Sequence, residues 1–500
     1  MKVKSAQSVF MLKSFAFRIF IVALVLRLIP VILARGLGIG LDDMFQYDML
    51  ARSLASGNGF RWYAREDLNQ LAAYVDFDLA SVKDYDPIRG IPTSFRAPLY
   101  PTFLALVYFL SGIDFSRFFA ARLAQAIFLG APLAPLTYFV SKKLFPPLRV
   151  GEGAGVRSER SARIAAWFVA CYPMLLVYPL GLGTENPFFL LLLTSSFFLL
   201  KSNEQPIARN FLLAGLFLAL TALTRSVILP FAALAVLWTW FVLQQKRGAI
   251  LMALAFALTI APWIIRNSLL HQKLTGIETS MGYNLYLGYH PQGNGSFIFG
   301  PSLDLLTILD DAERDRIGTE KAIEFIRAEP ERFIPLAINR LGFFFGLEKR
   351  VLMYFYSNNI IGYVPLPLLL TISAILLLPF VVISISAAFG LAYLRWKPEH
   401  ILLILLFVGY VLPHVLILSE DRFHLALVPY IAILAAQVWI NGFAPLNVRW
   451  NESSTGKAVV SLAIFAAFLL TVNWGFELIR DADKIAQLLG PNGNQSHFPY

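Results

Sequence analysis

Apolar runs, each about long enough to cross a ~30 Å hydrocarbon core as a helix, alternate with shorter polar segments along this chain. Helices are expected in such runs because they satisfy every backbone hydrogen bond within the lipid. The runs are roughly 15–34, 98–113, 118–141, 162–180, 185–200, 209–225, 226–243, 248–267, 362–392, 400–418, 423–443 and 458–476. The pattern predicts an all-α, polytopic integral membrane protein of about eleven spanning helices.

Basic residues are gathered in one set of connections between the runs. The strongest basic connection is 142–163, and Lys and Arg also mark connections near 201–209, 246–247, 395–397 and 449–457. Short loops rich in Lys and Arg remain in the cytoplasm. These connections and the N-terminus are therefore predicted to lie inside.

The other connections are acidic or polar and are predicted to face the periplasm or the exterior. They include 35–97, 268–336 and the pair Glu420-Asp421. With the first helix going out and 142–163 inside, one of the two runs between them does not cross. Residues 98–113 form the shorter run and begin at Pro98, so we assign them to a juxtamembrane or re-entrant helix.

The whole chain, 1–500, is read as a single membrane domain with two long external loops. The first loop spans 35–117, and the second spans 268–361 and contains an interfacial helix. Residues 44–56 have apolar positions at helical spacing with charged residues opposite, which predicts an amphipathic helix in the interface plane.

Composition supports the membrane class and narrows the partners. Of the 500 residues, 57% are hydrophobic and 15% charged, whereas soluble domains carry about 25% charged residues. The net charge of +10 lies in the connections, so it indicates orientation and not nucleic-acid binding. Cys171 is the one cysteine, which excludes an intrachain disulfide. The first run lacks a cleavage site and is read as an uncleaved helix.

Three carboxylates are candidates for chemistry. Asp42 and Asp43 directly follow the first apolar run, and Glu185 begins a later helix. The pair could act as a general base, could hold a divalent cation, or could cap the amphipathic helix, whose dipole favours acids at its start.

Arginines stand at the predicted external ends of several runs. Arg96 begins the juxtamembrane helix, where it could hold a lipid phosphate in a fork of donors or reach the interface by snorkelling. Arg27 lies inside the first run. The topology brings to one membrane face Asp42, Asp43, Arg96, Glu185, Arg225, Arg266 and Arg422. A transporter would place such groups near the midplane, whereas this arrangement suits a phosphorylated lipid headgroup whose tail stays in the bilayer.

Six short motifs follow one another in a recognisable order. They are Asp42-Asp43 with Tyr47 and Gly57-Asn58-Gly59-Phe60; Arg96-Ala97-Pro98-Leu99-Tyr100-Pro101; Ala222-Leu223-Thr224-Arg225; Pro262-Trp263 with Arg266-Asn267; Gly282-Tyr283-Asn284-Leu285-Tyr286-Leu287-Gly288; and Arg422-Phe423-His424 before Pro429. With them the chain resembles the bacterial GT-C fold glycosyltransferases, relatives of the protein O-mannosyltransferases and of the lipid A aminoarabinose transferase. Ala97 and His424 depart from the pattern of that group.

The resemblance implies a membrane glycosyltransferase that uses a polyprenyl-phosphate sugar as donor. Its acceptor would be a glycolipid, an envelope glycan or a protein, on the periplasmic or extracellular face of the inner or plasma membrane. It assigns catalysis to Asp42 or Asp43, with Asp43 preferred because Tyr47 lies one turn on, and Glu185 at the same face is a further catalytic candidate. It assigns donor binding to Tyr47, Arg96, Arg225, Arg266, Asn284 and Arg422. The resemblance names no certain cofactor, and a divalent cation could bind Asp42 and Asp43. A polytopic transporter or lipid flippase is the alternative.

Overall fold

The computed structural model describes residues 14–77, 79, 82, 85–146 and 152–495, of which 152–155 by their backbone. The basic residues Lys2, Lys4 and Arg149, used above to orient the chain, lie outside this part. The helices in chain order are α1 (Phe15–Leu33), α2 (Asp43–Ala55), α3 (Arg65–Leu71), α4 (Leu99–Ser111), α5 (Arg117–Leu144), α6 (Glu152–Cys171), α7 (Pro173–Leu180), α8 (Glu185–Glu204), α9 (Ala208–Ala222), α10 (Ser226–Val242), α11 (Lys246–His271), α12 (Met281–Tyr289), α13 (Phe299–Asp304), α14 (Asp311–Ala328), α15 (Phe333–Phe344), α16 (Leu366–Tyr393), α17 (Pro398–Leu416), α18 (Phe423–Asn441), α19 (Ala444–Glu452), α20 (Ser454–Arg480) and α21 (Ala482–Leu489).

Strand structure in the described residues is limited to one small hairpin and an isolated bridge. The strands β1 (Arg61–Trp62) and β2 (Ile91–Pro92) pair antiparallel inside the first long loop. The all-α class predicted from the apolar pattern is therefore confirmed.

Seven helices of the described part are long and apolar enough to cross a membrane, or eight if the bent pair α6–α7 forms one span. The other predicted crossings fall on α8, which has charged residues at both ends, and on α9 and α10, which are shorter apolar helices. Each of the predicted spans thus has a helix at its position. Helix α8 is not among the seven because Glu185, Lys201 and Glu204 lower its hydropathy, and α9 and α10 are not among them because they are shorter.

The break between α6 and α7 is caused by Pro173, which cannot donate to the helical ladder. The two helices meet at 52°, and the last carbonyl groups of α6 lose their partners. Arg27 in α1 donates to two of them, Val169 O at 3.2 Å and Ala170 O at 3.3 Å. The charged residue inside the first span therefore caps a broken helix.

Two sets of contacts define the two ends of the bundle. At one end Lys142 pairs with Glu159 at 3.2 Å and Lys143 pairs with Glu204. His400 at the start of α17 donates to Leu144 O at 2.9 Å at the same end. This end carries the basic connections that the charge pattern assigns to the cytoplasm.

The juxtamembrane helix α4 begins and ends at the opposite end of the bundle. Leu99 at its start donates to Leu223 O at 3.0 Å. Along α4, Tyr100 packs edge-on against Tyr47 and Tyr108 donates to Asp48, both on α2. Helix α4 therefore lies beside α2 and does not carry the chain to the other end.

Two glycines of the 282–288 motif permit close approach of other segments. A Cβ on Gly282 would lie 1.9 Å from Asp315 O on α14, and one on Gly288 would lie 1.9 Å from Ile417 O. Any larger residue would separate these elements. These two positions in the motif therefore serve packing of the second loop.

Candidate active site

Asp42 and Asp43 stand at the start of α2 and have different local roles. Asp42 is the N-cap: its side chain accepts from the amide of Met44 at 2.8 Å. Asp43 is the first helical residue, and its side chain turns toward two arginines. The capping role expected for the pair thus belongs to Asp42, whose second carboxylate oxygen is not needed for the cap.

Arg96 and Arg422 both bind the carboxylate of Asp43. Arg96 donates to Oδ1, and Arg422 lies 3.4 Å from Oδ2. Arg96 is held in place by stacking between the rings of Tyr47 and Phe95, at 5.2 and 5.1 Å. Its Nε also donates to Gln46 at 2.8 Å. Residues more than three hundred positions apart therefore meet at one carboxylate.

Glu185 is the second acid of the same group. Its Oε1 lies 2.9 Å from Arg225 and 3.7 Å from Arg422, and the residue is buried. Arg422 therefore joins Asp43 to Glu185. We call Asp43, Arg96, Glu185, Arg225 and Arg422 the arginine–carboxylate cluster.

The cluster continues through groups that sequence reasoning did not assign to a site. Glu420 forms an ion pair with Arg422 at 3.1 Å and accepts a hydrogen bond from Arg350 at 2.8 Å. Asp421 lies 3.8 Å from Arg350. Glu420 and Asp421 were visible in the sequence as an acidic connection, whereas no motif marks Arg350.

The pKa values of the two aspartates are shifted in opposite directions. Burial alone would raise the pKa of Asp43, but the charges of Arg96 and Arg422 outweigh it and hold that pKa below its usual value. Desolvation and the neighbouring charge of Asp43 raise the pKa of Asp42. Asp43 is therefore a permanently ionised partner of arginines, while Asp42 is the better proton acceptor.

His424 lies apart from the cluster in a buried polar network. Its Nδ1 donates to Phe344 O at 2.7 Å, and its Nε2 lies 3.0 Å from Glu348. Tyr172 donates to the same carboxylate oxygen of Glu348, and burial raises the pKa of that glutamate. The departure from the motif at His424 is thus matched by buried partners on two other segments.

Arg266 and Asn284, predicted to bind the donor, lie outside the cluster. Arg266 donates to Thr93 O and to Phe60 O, and stacks over Trp263 at 4.8 Å. Asn284 is half-buried within α12. Arg266 therefore ties α11 to the first loop just before Arg96.

A divalent cation does not fit the aspartate pair. Both oxygens of Asp43 face guanidinium groups, which already neutralise the charge that a cation would need. Among the described residues, no group of three or more His, Cys, Asp or Glu side chains is arranged to hold a metal ion.

No family model and no curated protein matches the sequence. Solved structures that are similar in fold include the following three. The oligosaccharyltransferase of Archaeoglobus fulgidus, in complex with zinc and sulfate, has a TM-score of 0.47 at 13% identity and covers 97% of this chain. The chain spans 59% of the length of that protein.

The other two structures are of ArnT from Cupriavidus metallidurans. The form bound to undecaprenyl phosphate has a TM-score of 0.36 at 12% identity and covers 86% of this chain and 79% of its own. The apo form has a TM-score of 0.35 at 13% identity, with coverage of 96% and 92%. All three TM-scores are below 0.5, so the likeness is one of fold. The oligosaccharyltransferase and ArnT have the GT-C fold, and the chain is similar to this group of membrane glycosyltransferases.

Proposed function

We propose that this protein transfers a sugar from a polyprenyl-phosphate donor to an acceptor at the membrane surface. The observation that carries the proposal is the meeting of three arginines and two carboxylates at one end of an apolar helical bundle. Guanidinium forks match the geometry of phosphate oxygens. At the end of the bundle, a lipid phosphate could reach Arg96, Arg225 and Arg422 while its tail remains among the apolar helices.

The chemistry requires stabilisation of a leaving phosphate. As the bond between the anomeric carbon and the phosphate oxygen breaks, that oxygen gains negative charge. Positively charged groups aimed at the place where charge develops are among the largest contributors to catalysis. The arginines of the cluster supply this, and Asp43 and Glu185 hold them in position before the donor binds.

We assign the general base to Asp42. The acceptor oxygen attacks the anomeric carbon from the side opposite the phosphate, and its proton passes to the Asp42 carboxylate. Asp43 was preferred on sequence because of its spacing to Tyr47. Its two arginine partners make it a weak base, whereas Asp42 has no direct guanidinium partner among the described residues. The result is a single displacement with inversion at the anomeric carbon.

The two aspartates are separated by Asp42→Asn and Asp43→Asn. Asn caps a helix about as well as Asp, so Asp42→Asn keeps the fold while removing the base. We expect turnover to fall by roughly 10²–10⁴ with donor affinity retained. Asp43→Asn leaves the base in place and should weaken donor use by disordering Arg96 and Arg422.

The measurement is transfer of labelled sugar from a polyprenyl-phosphate sugar in membranes that hold equal amounts of each variant. In the wild type the rate should fall on acidification with an apparent pKa above the usual aspartate value, because protonated Asp42 cannot accept a proton. Near-normal activity of both Asn variants would reject the assignment and move the search for the base to Glu185.

We infer that the cluster faces the periplasm or the exterior of the inner or plasma membrane. The ion pairs of Lys142 and Lys143 and the hydrogen bond of His400 to Leu144 O lie at the other end of the bundle. Loops of that basic character stay in the cytoplasm. The acceptor, whether glycolipid, envelope glycan or protein, would then be met on the non-cytoplasmic side.

A further inference from the structure

A polar recess adjoins the arginine–carboxylate cluster at Glu420. It has a volume of about 190 Å³ and is lined by the loop after α12, the end of α15 and the segment that follows it, the residues before α18 and the end of α20. Pockets for drug-sized ligands enclose roughly 300–1,000 Å³. The recess is therefore suited to a group the size of one or two small rings.

The charges that line the recess are balanced. Three cationic and three anionic side chains contribute to its wall. Lys349 pairs with Glu477 at 2.6 Å, and Arg350 pairs with Glu420 at 2.8 Å. The recess therefore has no excess of positive charge with which to bind a second phosphate. A neutral group with many hydroxyls could accept from the cations and donate to the carboxylates.

Two aromatic side chains complete the wall. Phe297 and Phe343 are half-buried and line the recess from separate segments. Binding sites for small ligands combine apolar and aromatic walls with a few placed polar groups. A sugar ring, with apolar C–H faces and a polar rim, matches such a wall.

The recess shares side chains with the cluster. Glu420 accepts a hydrogen bond from Arg350 on the recess side and forms an ion pair with Arg422 on the cluster side. Arg422 in turn pairs with Asp43 at 3.4 Å. A group bound in the recess would thus lie beside the arginine–carboxylate cluster, which begins at the residue next to Asp42 in the chain.

We propose that the recess between Phe297, Phe343, Arg350 and Asp421 binds a neutral, hydroxyl-bearing ring of the acceptor. The inference rests on the proposed glycosyl transfer and names the acceptor chemistry. One acceptor hydroxyl reaches Asp42 past Arg350. Its oxygen bonds to the anomeric carbon of the donor, the carbon–oxygen bond to the phosphate breaks, and the hydroxyl proton goes to Asp42.

The first test fills the recess. Ser296 lines it, and Ser296→Cys in a Cys171→Ser background can be modified with neutral methanethiosulfonate reagents carrying a methyl or a benzyl group. Thr307→Cys, exposed on the same loop, is the matched control. Two quantities are measured: incorporation of labelled sugar into the endogenous acceptors of membranes, and binding of undecaprenyl phosphate to purified protein.

The benzyl adduct at position 296 should reduce incorporation at least tenfold, the methyl adduct less, and neither should change undecaprenyl phosphate binding. Unchanged incorporation with the benzyl adduct would overturn the proposal. Equal loss of phosphate binding would also overturn it, because the recess would then belong to the donor site.

A second test does not depend on modification. Phe297→Leu keeps an apolar wall and removes the aromatic face, and we expect about a two- to tenfold rise in the acceptor concentration needed for half-maximal rate. Asp421→Asn should raise it similarly, with the maximal rate retained. A fall in maximal rate alone would contradict an acceptor role. If the unmodified protein transfers no sugar, the proposed function itself is wrong. If it transfers sugar and the changes in the recess leave that transfer unaffected, only the acceptor assignment is wrong.

Discussion

Asp42 and Asp43 are adjacent in the chain, yet their carboxylates have opposite surroundings. Residues i and i+1 of a helix do not share a face, and Asp42 also stands outside the helix as its cap. Asp43 faces Arg96 and Arg422 across the first loop. The division of roles between a base and an arginine-bound carboxylate follows from this geometry.

At the residue scale, the arginines of the cluster should not tolerate lysine. Arg96 uses separate nitrogens for Gln46 and Asp43, and an ammonium group cannot reproduce this fork. We expect Arg96→Lys and Arg422→Lys to weaken binding of a polyprenyl phosphate about ten- to a hundredfold, as loss of a charged hydrogen bond of ~1.5–3 kcal/mol predicts.

The readout is the dissociation constant of undecaprenyl phosphate for purified protein, with the thermal unfolding curve as a check on folding. Arg316→Lys is the control, because Arg316 pairs with Glu313 and Glu320 on the exposed face of α14. Wild-type affinity in both cluster variants would show that the phosphate does not bind at this site.

At the scale of elements, Glu348, His424 and Tyr172 join three segments by buried hydrogen bonds. Glu348 stands two residues before Arg350, and His424 two residues after Arg422. The bond between them at 3.0 Å therefore fixes the spacing of the two arginines that share Glu420. Buried polar groups need such partners because an unsatisfied one costs about 1–3 kcal/mol.

His424→Phe tests this network. A phenyl ring can keep the stack on Phe380, whose centroid is 4.0 Å away, but it leaves Phe344 O without its donor and leaves Glu348 with Tyr172 alone. We expect a lower unfolding temperature and a reduced affinity for undecaprenyl phosphate. His290→Phe, on the second loop, is the comparison. Unchanged stability and affinity in His424→Phe would refute the positioning role.

The kink between α6 and α7 also bears on function at this scale. A transporter would use a charge inside a span to line a polar path. Arg27 instead satisfies the carbonyl groups of Val169 and Ala170 where Pro173 breaks the helix. Its burial therefore has a structural reason, and the charged groups that remain for chemistry stand at the end of the bundle.

At the scale of the whole molecule, the expected orientation can be tested by labelling single cysteines after Cys171→Ser. Asn294 and Arg160 are exposed, and they belong to connections that are predicted to lie on opposite sides of the membrane. In intact cells an impermeant maleimide should label Asn294→Cys and spare Arg160→Cys. Labelling of both sites in permeabilised cells is the control. Reaction at position 160 in intact cells would reverse the orientation.

The sequence by itself determined the helical membrane class and the place of nearly every helix. The length and hydropathy of a run are local properties, and lipid leaves a long apolar segment little choice but a helix. The same local reasoning found the juxtamembrane helix α4 from its length and prolines. It also assigned to one membrane face Asp43, Arg96, Glu185, Arg225 and Arg422. The chain changes sides at each spanning helix, so the number of crossings before a helix end predicts the side on which that end lies.

Only the tertiary structure decided which of these groups touch and which do not. Arg266 has the sequence setting of a donor-binding residue but ties the first loop to α11, and Arg350 carries no motif but adjoins Glu420 and the recess. The partners of Asp43 and His424 come from segments far away in the chain. Hydropathy and charge indicate on which membrane face a helix end lies. Hydrogen bonds and pKa values depend on distances of a few ångströms, and only the packing of the folded chain determines those distances.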